Sequence, residues 1–302
     1  MSPNPVVSQR PENWESTNKK LPEGTSLGYI HLTISDMQRS VDFYQNILGF
    51  QIHKQEAGKT ILGAGGTDLL VLSEITGAVR VPRTSGLYHF AILTPSRRAL
   101  AKSLRRLIET ETGLQGGADH LVSEALYLAD PDGNGIEIYR DRPRSEWQFE
   151  NGLLKMATEA LDYQGILNED DDGPREWNGL DPGTRIGHIH LHVADLSRAT
   201  EFYERILGFD FILSYMGSAS FLSAGGYHHH IGLNTWNGVG VPAPPPDMVG
   251  LRYYTIQIAS QIDQQNLVER LRRAEVDFRL QGEELILQDP SGNGVRFLIE
   301  HR

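Results

Sequence analysis

The chain contains an internal repeat. Residues 28–50 read GYIHLTISDMQRSVDFYQNILGF and residues 187–209 read GHIHLHVADLSRATEFYERILGF, so 12 of 23 positions are identical, without a gap, at an offset of 159. The same offset relates two later turns, DPDGNG at 130–135 and DPSGNG at 289–294. Because two separated blocks share one offset, they indicate a duplicated domain rather than two chance motifs.

Each copy is predicted to hold two similar units. In the first unit, IHLTI predicts a strand, and the amphipathic segment from Asp36 to Gly49 predicts a helix followed by three short strands. In the second, LYHFAILTP predicts a strand, SRRALAKSLRRLIET a helix, and HLVSEALYLAD and GIEIYRD two further strands. The predicted fold class is α+β, with two tandem domains that each pair two βαβββ units.

A long connection separates the two copies. It contains NGLLKMATEAL, which predicts a short helix, and the acidic run 169–172, which predicts a solvated linker. The expected organisation is an N-terminal arm at 1–26, a first domain at 27–141, a linker at 142–183 and a second domain at 184–302.

Composition narrows the classes of partner and site. The 28 Lys and Arg residues against 39 Asp and Glu give a formal net charge of −11, which disfavours nucleic acid and anionic membranes as partners. The chain has no Cys, which excludes disulfides, thiolate metal sites, iron–sulfur clusters and a Cys nucleophile. No segment reads as a secretory signal or a membrane span, so a cytoplasmic protein is expected.

Three residues of the first copy are candidate metal ligands. His31 and His89 lie on the first strands of the two units, and Glu137 lies on the last strand of the second unit. Two His and one carboxylate suit a divalent metal with open coordination positions, as in non-haem Fe(II) oxygenases. The sequence spacing of these three residues does not by itself show that their side chains lie together in space.

The repeated HLxxxD…FY…LGF block, with the late DPxGNxxE block, resembles the vicinal-oxygen-chelate superfamily. That superfamily includes glyoxalase I, bleomycin-resistance proteins and type I extradiol dioxygenases. The resemblance implies that paired βαβββ units form open, cup-like sheets. It also implies that His31, His89 and Glu137 together bind the metal, which makes residues 27–141 the metal-binding domain.

A narrower resemblance covers 120–137. This stretch carries a His, a Tyr, an Asp-Pro pair and a Glu at the spacing of the extradiol dioxygenase signature, although Ala118 departs from the residue types usual just before it. The chain is similar to the bacterial two-domain catechol 2,3-dioxygenases. The resemblance implies an Fe(II)-dependent enzyme of aromatic catabolism that opens a catechol-type ring with O2. His120 and Tyr127 are then the catalytic residues, and Mn(II) in place of Fe(II) stays open.

The second copy departs from the pattern. Its first-strand His is kept as His190, but Tyr253 takes the position of the second His and Arg296 that of the Glu. An Arg repels a cation, so a degenerate domain with a structural or pocket-covering role is expected. The extradiol enzymes also carry an acid–base His shortly before the second ligand, and no His lies between His53 and His89. Another group must then act as the acid and base, or the reaction differs from that of the extradiol enzymes.

Two further functions stay open at this point. One is an oxygen-independent, glyoxalase-type metal lyase or isomerase, and the other is a non-catalytic protein that binds an aromatic ligand. The second copy also has a group of strand histidines that are either hydrogen-bonded side chains of a polar cup or a pocket or second site: His188, His190, His192, His228 and His230. A homodimer is expected only because dimers are the commonest assemblies of soluble proteins.

Overall fold

The computed structural model describes residues 20–150, 152–169 and 177–300. Most of the expected N-terminal arm and the acidic run after Glu169 lie outside them. Each of the four units consists of one main helix and four strands, which confirms the α+β class. Among the described residues, no helix is long and apolar enough to cross a membrane.

The first copy contains units 1 and 2. Unit 1 comprises β1 (Ser26–Ile34), α1 (Met37–Asp42), a π-helical continuation (Phe43–Ile47), β2 (Gln51–Glu56), β3 (Lys59–Ala64) and β4 (Thr67–Glu74). Unit 2 comprises β5 (Gly86–Leu93), α2 (Arg97–Glu109), β6 (Gly116–Asp119), β7 (Ser123–Ala129) and β8 (Gly135–Asp141).

The connection is not built as predicted. It contains a 3-10 turn (Arg144–Glu146), β9 (Phe149–Glu150), β10 (Leu153–Leu154), β11 (Glu159–Ala160) and α3 (Tyr163–Asn168). The helix predicted over NGLLKMATEAL is therefore wrong. In its place β11 pairs with β6 at the edge of a sheet, so tertiary pairing overrides local helix propensity there.

The second copy contains units 3 and 4. Unit 3 comprises β12 (Arg185–His192), α4 (Leu196–Glu201), a π-helical continuation (Phe202–Leu207), β13 (Asp210–Tyr215), β14 (Ala219–Ser223) and β15 (Ile231–Asn234). Unit 4 comprises β16 (Gly250–Ile258), α5 (Gln261–Arg273), β17 (Phe278–Gln281), β18 (Glu284–Gln288) and β19 (Gly294–Ile299).

The same local signals begin the first helix of both copies. The Asp36 side chain accepts a hydrogen bond from the Arg39 amide at the start of α1, and Asp195 accepts one from the Arg198 amide at the start of α4. These caps satisfy amides that have no partner inside the helix. The duplicated sequence thus builds the same local structure twice.

The two repeated sequence blocks contact each other, which explains why they recur together. The Tyr44 hydroxyl donates to Asp130 across 2.8 Å, and the Tyr203 hydroxyl donates to Asp289 across 3.2 Å. Both tyrosines are fully buried, as their place on the apolar helix stripe predicts. Each helix is thereby tied to the turn before the last strand of the neighbouring unit.

The units join across the boundary between the copies. Units 1 and 4 share an eight-stranded sheet with the order β17-β18-β19-β16-β1-β4-β3-β2. Units 2 and 3 share a nine-stranded sheet with the order β11-β6-β7-β8-β5-β12-β15-β14-β13. In each sheet the first strands of two units pair antiparallel, β1 with β16 and β5 with β12. Each sheet is therefore built from one unit of each copy.

Candidate metal centre

Three ligand-type side chains converge in the nine-stranded sheet. The Nε2 atoms of His89 and His188 each lie 3.1 Å from the same carboxylate oxygen, Glu137 Oε2. One ligand atom from each residue lies within 4.8 Å of the others. All three residues are buried, with 8%, 3% and 1% of the surface of His89, Glu137 and His188 exposed. Among the described residues, they form the one group of three such ligands this close together.

Strand register places these side chains on one face of three adjacent strands. Ala91 of β5 lies opposite Glu137 of β8 on one side and His188 of β12 on the other. His89 is two residues before Ala91, and side chains two apart on a strand point to the same face. The small Ala91 side chain lies between the carboxylate and the imidazole of the neighbouring strands.

The sequence predicted His31 as the third ligand, but the structure does not bring it into this group. His31 lies on β1 in the other sheet, where its Nε2 is 2.8 Å from Ser73 Oγ and its ring packs edge-on against Tyr253. The strand paired antiparallel with β5 is β12 rather than β1, so the nearby His comes from the second copy. That residue is His188, two positions before the His that aligns with His31.

The charge states of the group suit a divalent cation. Burial by itself disfavours ionisation of Glu137, but the electrostatic interaction and hydrogen bond with His188, together with the nearby His89, outweigh it and hold its pKa well below the usual range. Burial lowers the pKa of His188 to about 4, so its imidazole is neutral near pH 7. A carboxylate and a neutral imidazole are the forms that bind metal.

The hydrogen bonding of the group also fits a metal. His89 Nε2, which lies beside the Glu137 carboxylate, is buried and makes no hydrogen bond of good geometry. Buried polar nitrogens without partners are costly unless something binds them. Two imidazoles and one carboxylate are the donor set of non-haem Fe(II) sites with open positions.

His120 and Tyr127 lie together beside this group. Tyr127 of β7 is directly opposite Glu137 of β8, and its hydroxyl is 2.6 Å from His120 Nε2. His120 Nδ1 is 2.7 Å from the Ala157 carbonyl oxygen, which only accepts, so Nδ1 carries the proton. In a neutral His120, Nε2 then accepts from the Tyr127 hydroxyl. Burial and the Glu137 charge raise the pKa of Tyr127 well above its usual value, so the hydroxyl keeps its proton.

A further buried histidine lies against the group, which sequence reasoning missed. The ring centroid of His229 is 4.1 Å from that of His188, and only 7% of the residue is exposed. Burial, followed by the charges of neighbouring histidines, lowers the pKa of His229 well below its usual value. In the sequence, the run YHHHIGL was the available signal for this residue. Only the pairing of unit 3 with unit 2 connects that run to His89, Glu137 and His188, which are called the metal group below.

The comparisons with known proteins agree with this architecture. The family model of the Glyoxalase/Bleomycin resistance protein/Dioxygenase superfamily matches residues 26–138 and 185–297. This chain belongs to that superfamily. The two matched segments correspond to the two copies of the repeat, which confirms the resemblance inferred from the motifs.

Relatives within the superfamily are similar over nearly the whole chain. Catechol-2,3-dioxygenase of Bacillus subtilis (strain 168) is 47% identical over 283 residues, which are 92% of this chain and 98% of that protein. A candidate dioxygenase from Bacillus subtilis subsp. subtilis str. 168 superposes with a TM-score of 0.60 at 15% identity, over 94% of this chain and 87% of that chain. Glyoxalase I from Zea mays superposes with a TM-score of 0.54 at 16% identity, over 91% and 92%. The two structures share the superfamily fold with this chain.

Aromatic side chains border the metal group in this superfamily member. A register shift between β5 and β12 leaves Tyr88 as an extra residue beside His89, and its ring is 5.0 Å from the His89 ring. Tyr88 also contacts the rings of His190, His192 and Trp236, at 5.1, 5.2 and 5.2 Å. Tyr88 and Trp236 are both partly exposed, so this edge of the site is apolar and reachable.

The eight-stranded sheet does not repeat the metal group. By the repeat offset and by strand register, its three corresponding positions hold Tyr29, Tyr253 and Arg296. The Arg296 guanidinium lies 3.6 Å from the centre of the Tyr253 ring and binds Glu284 across 2.9 Å. A protein cation thus occupies the place of a ligand. The second domain was expected to be degenerate, yet its unit 3 brings His188 to the metal group.

Proposed function

We propose that this protein is a metal-dependent extradiol dioxygenase that opens a catechol-type ring with O2. The observation that carries the proposal is the convergence of His89, Glu137 and His188 beside the His120–Tyr127 pair. The 47% identity to a protein named catechol-2,3-dioxygenase supports the same activity. The aromatic edge formed by Tyr88 and Trp236 suits a substrate with one aromatic ring.

His89, Glu137 and His188 would hold the metal, which we propose is Fe(II), with Mn(II) as the alternative. When bound, such a metal supplies Lewis acidity toward both catechol oxygens and a redox-active path between the ring and O2. Three protein ligands leave positions free for small molecules. The neutral imidazoles and the single carboxylate give the metal a low net charge, which favours donation of electron density.

The surrounding residues would orient the substrate and manage its protons. The Tyr127 hydroxyl and His120 would hold one substrate oxygen by hydrogen bonds. His229 would accept a proton from the catechol, because its ring lies against that of His188 and its lowered pKa keeps the imidazole neutral, with a nitrogen free to accept. This residue supplies the acid–base histidine that no residue between His53 and His89 provides.

The proposed reaction needs no added reductant. One C–C bond of the ring breaks next to a hydroxyl-bearing carbon, and both atoms of O2 enter the product. The ring loses the four electrons that O2 gains. The protons lost by the two hydroxyls return to the ring-opened product.

Oxygen uptake after anaerobic loading with Fe(II) tests the proposal, with catechol as substrate. We expect uptake equal to the catechol consumed and a yellow ring-opened product. A Glu137→Gln protein should do neither. Bound metal without oxygen uptake for catechol and substituted catechols would overturn the proposal and favour the oxygen-independent lyase. Neither metal binding nor uptake would favour the aromatic-binding protein.

A further inference from the structure

Behind His229 lies a buried chain of hydrogen bonds. His229 Nδ1 is 2.8 Å from His228 Nδ1, and His228 Nε2 is 2.9 Å from Asp141 Oδ1. His228 is fully buried, whereas the Asp141 side chain is 24% exposed. The described hydrogen bonds of His229 thus engage only one of its two ring nitrogens. The chain leads from the metal group toward the surface through groups that the proposed reaction does not otherwise use.

The alternation of donors and acceptors assigns the protons along this chain. The Asp141 carboxylate only accepts, so His228 Nε2 carries a proton and donates it. In the arrangement with one proton on each ring, His228 Nδ1 is bare and accepts a hydrogen bond from His229 Nδ1. His229 is left with its proton on Nδ1 and a bare Nε2. That is the tautomer in which the free nitrogen can act as a base.

Neighbouring hydroxyls hold Asp141 in place as the hydrogen-bond acceptor for His228 Nε2. The Tyr227 hydroxyl donates to Asp141 Oδ1 across 3.1 Å, and the Tyr139 hydroxyl is 2.7 Å from that of Tyr227. Gly187 makes room for this pair, because a Cβ there would collide with the Tyr139 hydroxyl. Asp141 and Tyr139 are on β8, on the same face as the ligand Glu137. β8 therefore positions both Glu137 of the metal group and Asp141, the last residue of the hydrogen-bond chain.

We propose that Asp141 and His228 are positioning residues, which hold His229 in the tautomer with a proton on Nδ1 and a bare Nε2. The role of His229 as a base rests on the proposed dioxygenase function. The tautomer itself is a property of the metal-free protein. The two statements can therefore fail separately.

A matched pair of variants at His228 tests the inference. In His228→Asn, the amide oxygen can replace Nδ1 as the acceptor for His229, whereas His228→Leu removes the acceptor at similar volume. The first measurement is ¹⁵N NMR of the ring nitrogens in metal-free protein, with the His229 signals assigned by their loss in His229→Gln. We expect Nδ1-protonated His229 in the wild type and in His228→Asn, and a mixture of tautomers in His228→Leu.

Turnover gives the second readout. With Fe(II) bound, we expect kcat for catechol to fall about 10–100-fold in His228→Leu and to recover most of the loss in His228→Asn. KM for catechol and Fe(II) affinity should stay within about twofold, because neither His228 nor Asp141 is hydrogen-bonded to a residue of the metal group. Asp141→Asn should also lower kcat and mix the His229 tautomers. Because Asp141 is partly exposed, this variant replaces His228→Leu in the test if the leucine variant fails to fold.

Two results would overturn the inference. One is an unchanged His229 tautomer in both His228→Leu and Asp141→Asn. The other is an equal loss of kcat in His228→Asn and His228→Leu, since a merely structural role predicts no rescue by the amide. If the wild type shows the expected tautomer but cleaves no catechol, the positioning inference stands and the dioxygenase proposal fails.

Discussion

His188 and Glu137 meet across the boundary between the two copies of the repeat, with His188 Nε2 3.1 Å from Glu137 Oε2. Glu137 is on the last strand of the first copy, and His188 is on the first strand of the second. The contact exists because β12 pairs antiparallel with β5 in the nine-stranded sheet. The metal group is thus a product of the junction between copies, and each copy alone lacks part of it.

Two histidine variants separate the ligand set proposed from the structure from the one that the superfamily resemblance implies. His188→Ala should abolish stoichiometric binding of Fe(II) or Mn(II), because it removes one of three buried ligand atoms. His31→Ala should keep binding, because His31 lies in the other sheet against Ser73. Metal content after anaerobic loading and desalting measures both. Loss of metal in His31→Ala with retention in His188→Ala would restore the original assignment.

Tyr127→Phe should spare the metal and slow the reaction. The hydroxyl bonds to His120 rather than donating a ligand atom, so Fe(II) affinity should change by less than about twofold. Loss of the hydroxyl should lower kcat for catechol about 10–100-fold. Tyr253→Phe is the control, since it removes a tyrosine hydroxyl from β16 of the other sheet, away from the metal group. An equal loss of activity in both variants would contradict a specific role for Tyr127.

The buried His31 makes stability fall in acid. Burial, aided by the charges of Arg252, Lys59 and Arg296, lowers its pKa to about 3 in the folded protein. The unfolded chain takes up this proton below about pH 6.5, so unfolding is favoured as the pH falls from there toward 3. His31→Gln, which can keep a hydrogen bond to Ser73, should remove this contribution.

Urea unfolding of metal-free protein between pH 6 and pH 4 measures it. We expect the free energy of unfolding of the wild type to fall more steeply than that of His31→Gln, by up to about 1.4 kcal/mol per pH unit for one proton. Identical slopes for the two proteins would contradict a neutral His31 in the folded state.

The eight-stranded sheet should accept a second metal if its three substituted positions are restored. The combination Tyr29→His, Tyr253→His and Arg296→Glu places the ligand types of the metal group at the corresponding register positions. It also removes the guanidinium that repels a cation there. Isothermal titration with Mn(II) should then give two sites per chain instead of one. The double variant without Arg296→Glu is the control and should keep one site.

Local sequence patterns were sufficient to predict much of the secondary structure of this protein. The 3.6-residue and 2-residue periodicities predict most helices and strands, because each depends on neighbours only a few positions away. The same is true of the cap at Asp36 and the burial of Tyr44. The sequence also singled out His89 and Glu137, and their side chains lie close together because β5 and β8 belong to one unit and pair within it.

Only the tertiary structure decided which units share a sheet. The first strands of the four units are similar, and each offers an edge that can pair with more than one partner. The chosen pairing joins residues about 100 positions apart in β5 and β12, and no local periodicity distinguishes it from a pairing of β5 with β1. That choice brings His188 rather than His31 beside His89 and Glu137, places His229 against His188, and leaves Arg296 in the other sheet. The sequence supplies the ligand-type residues. Which of them lie together depends on how the first strands of the four units pair in the folded protein, and that pairing is a tertiary property.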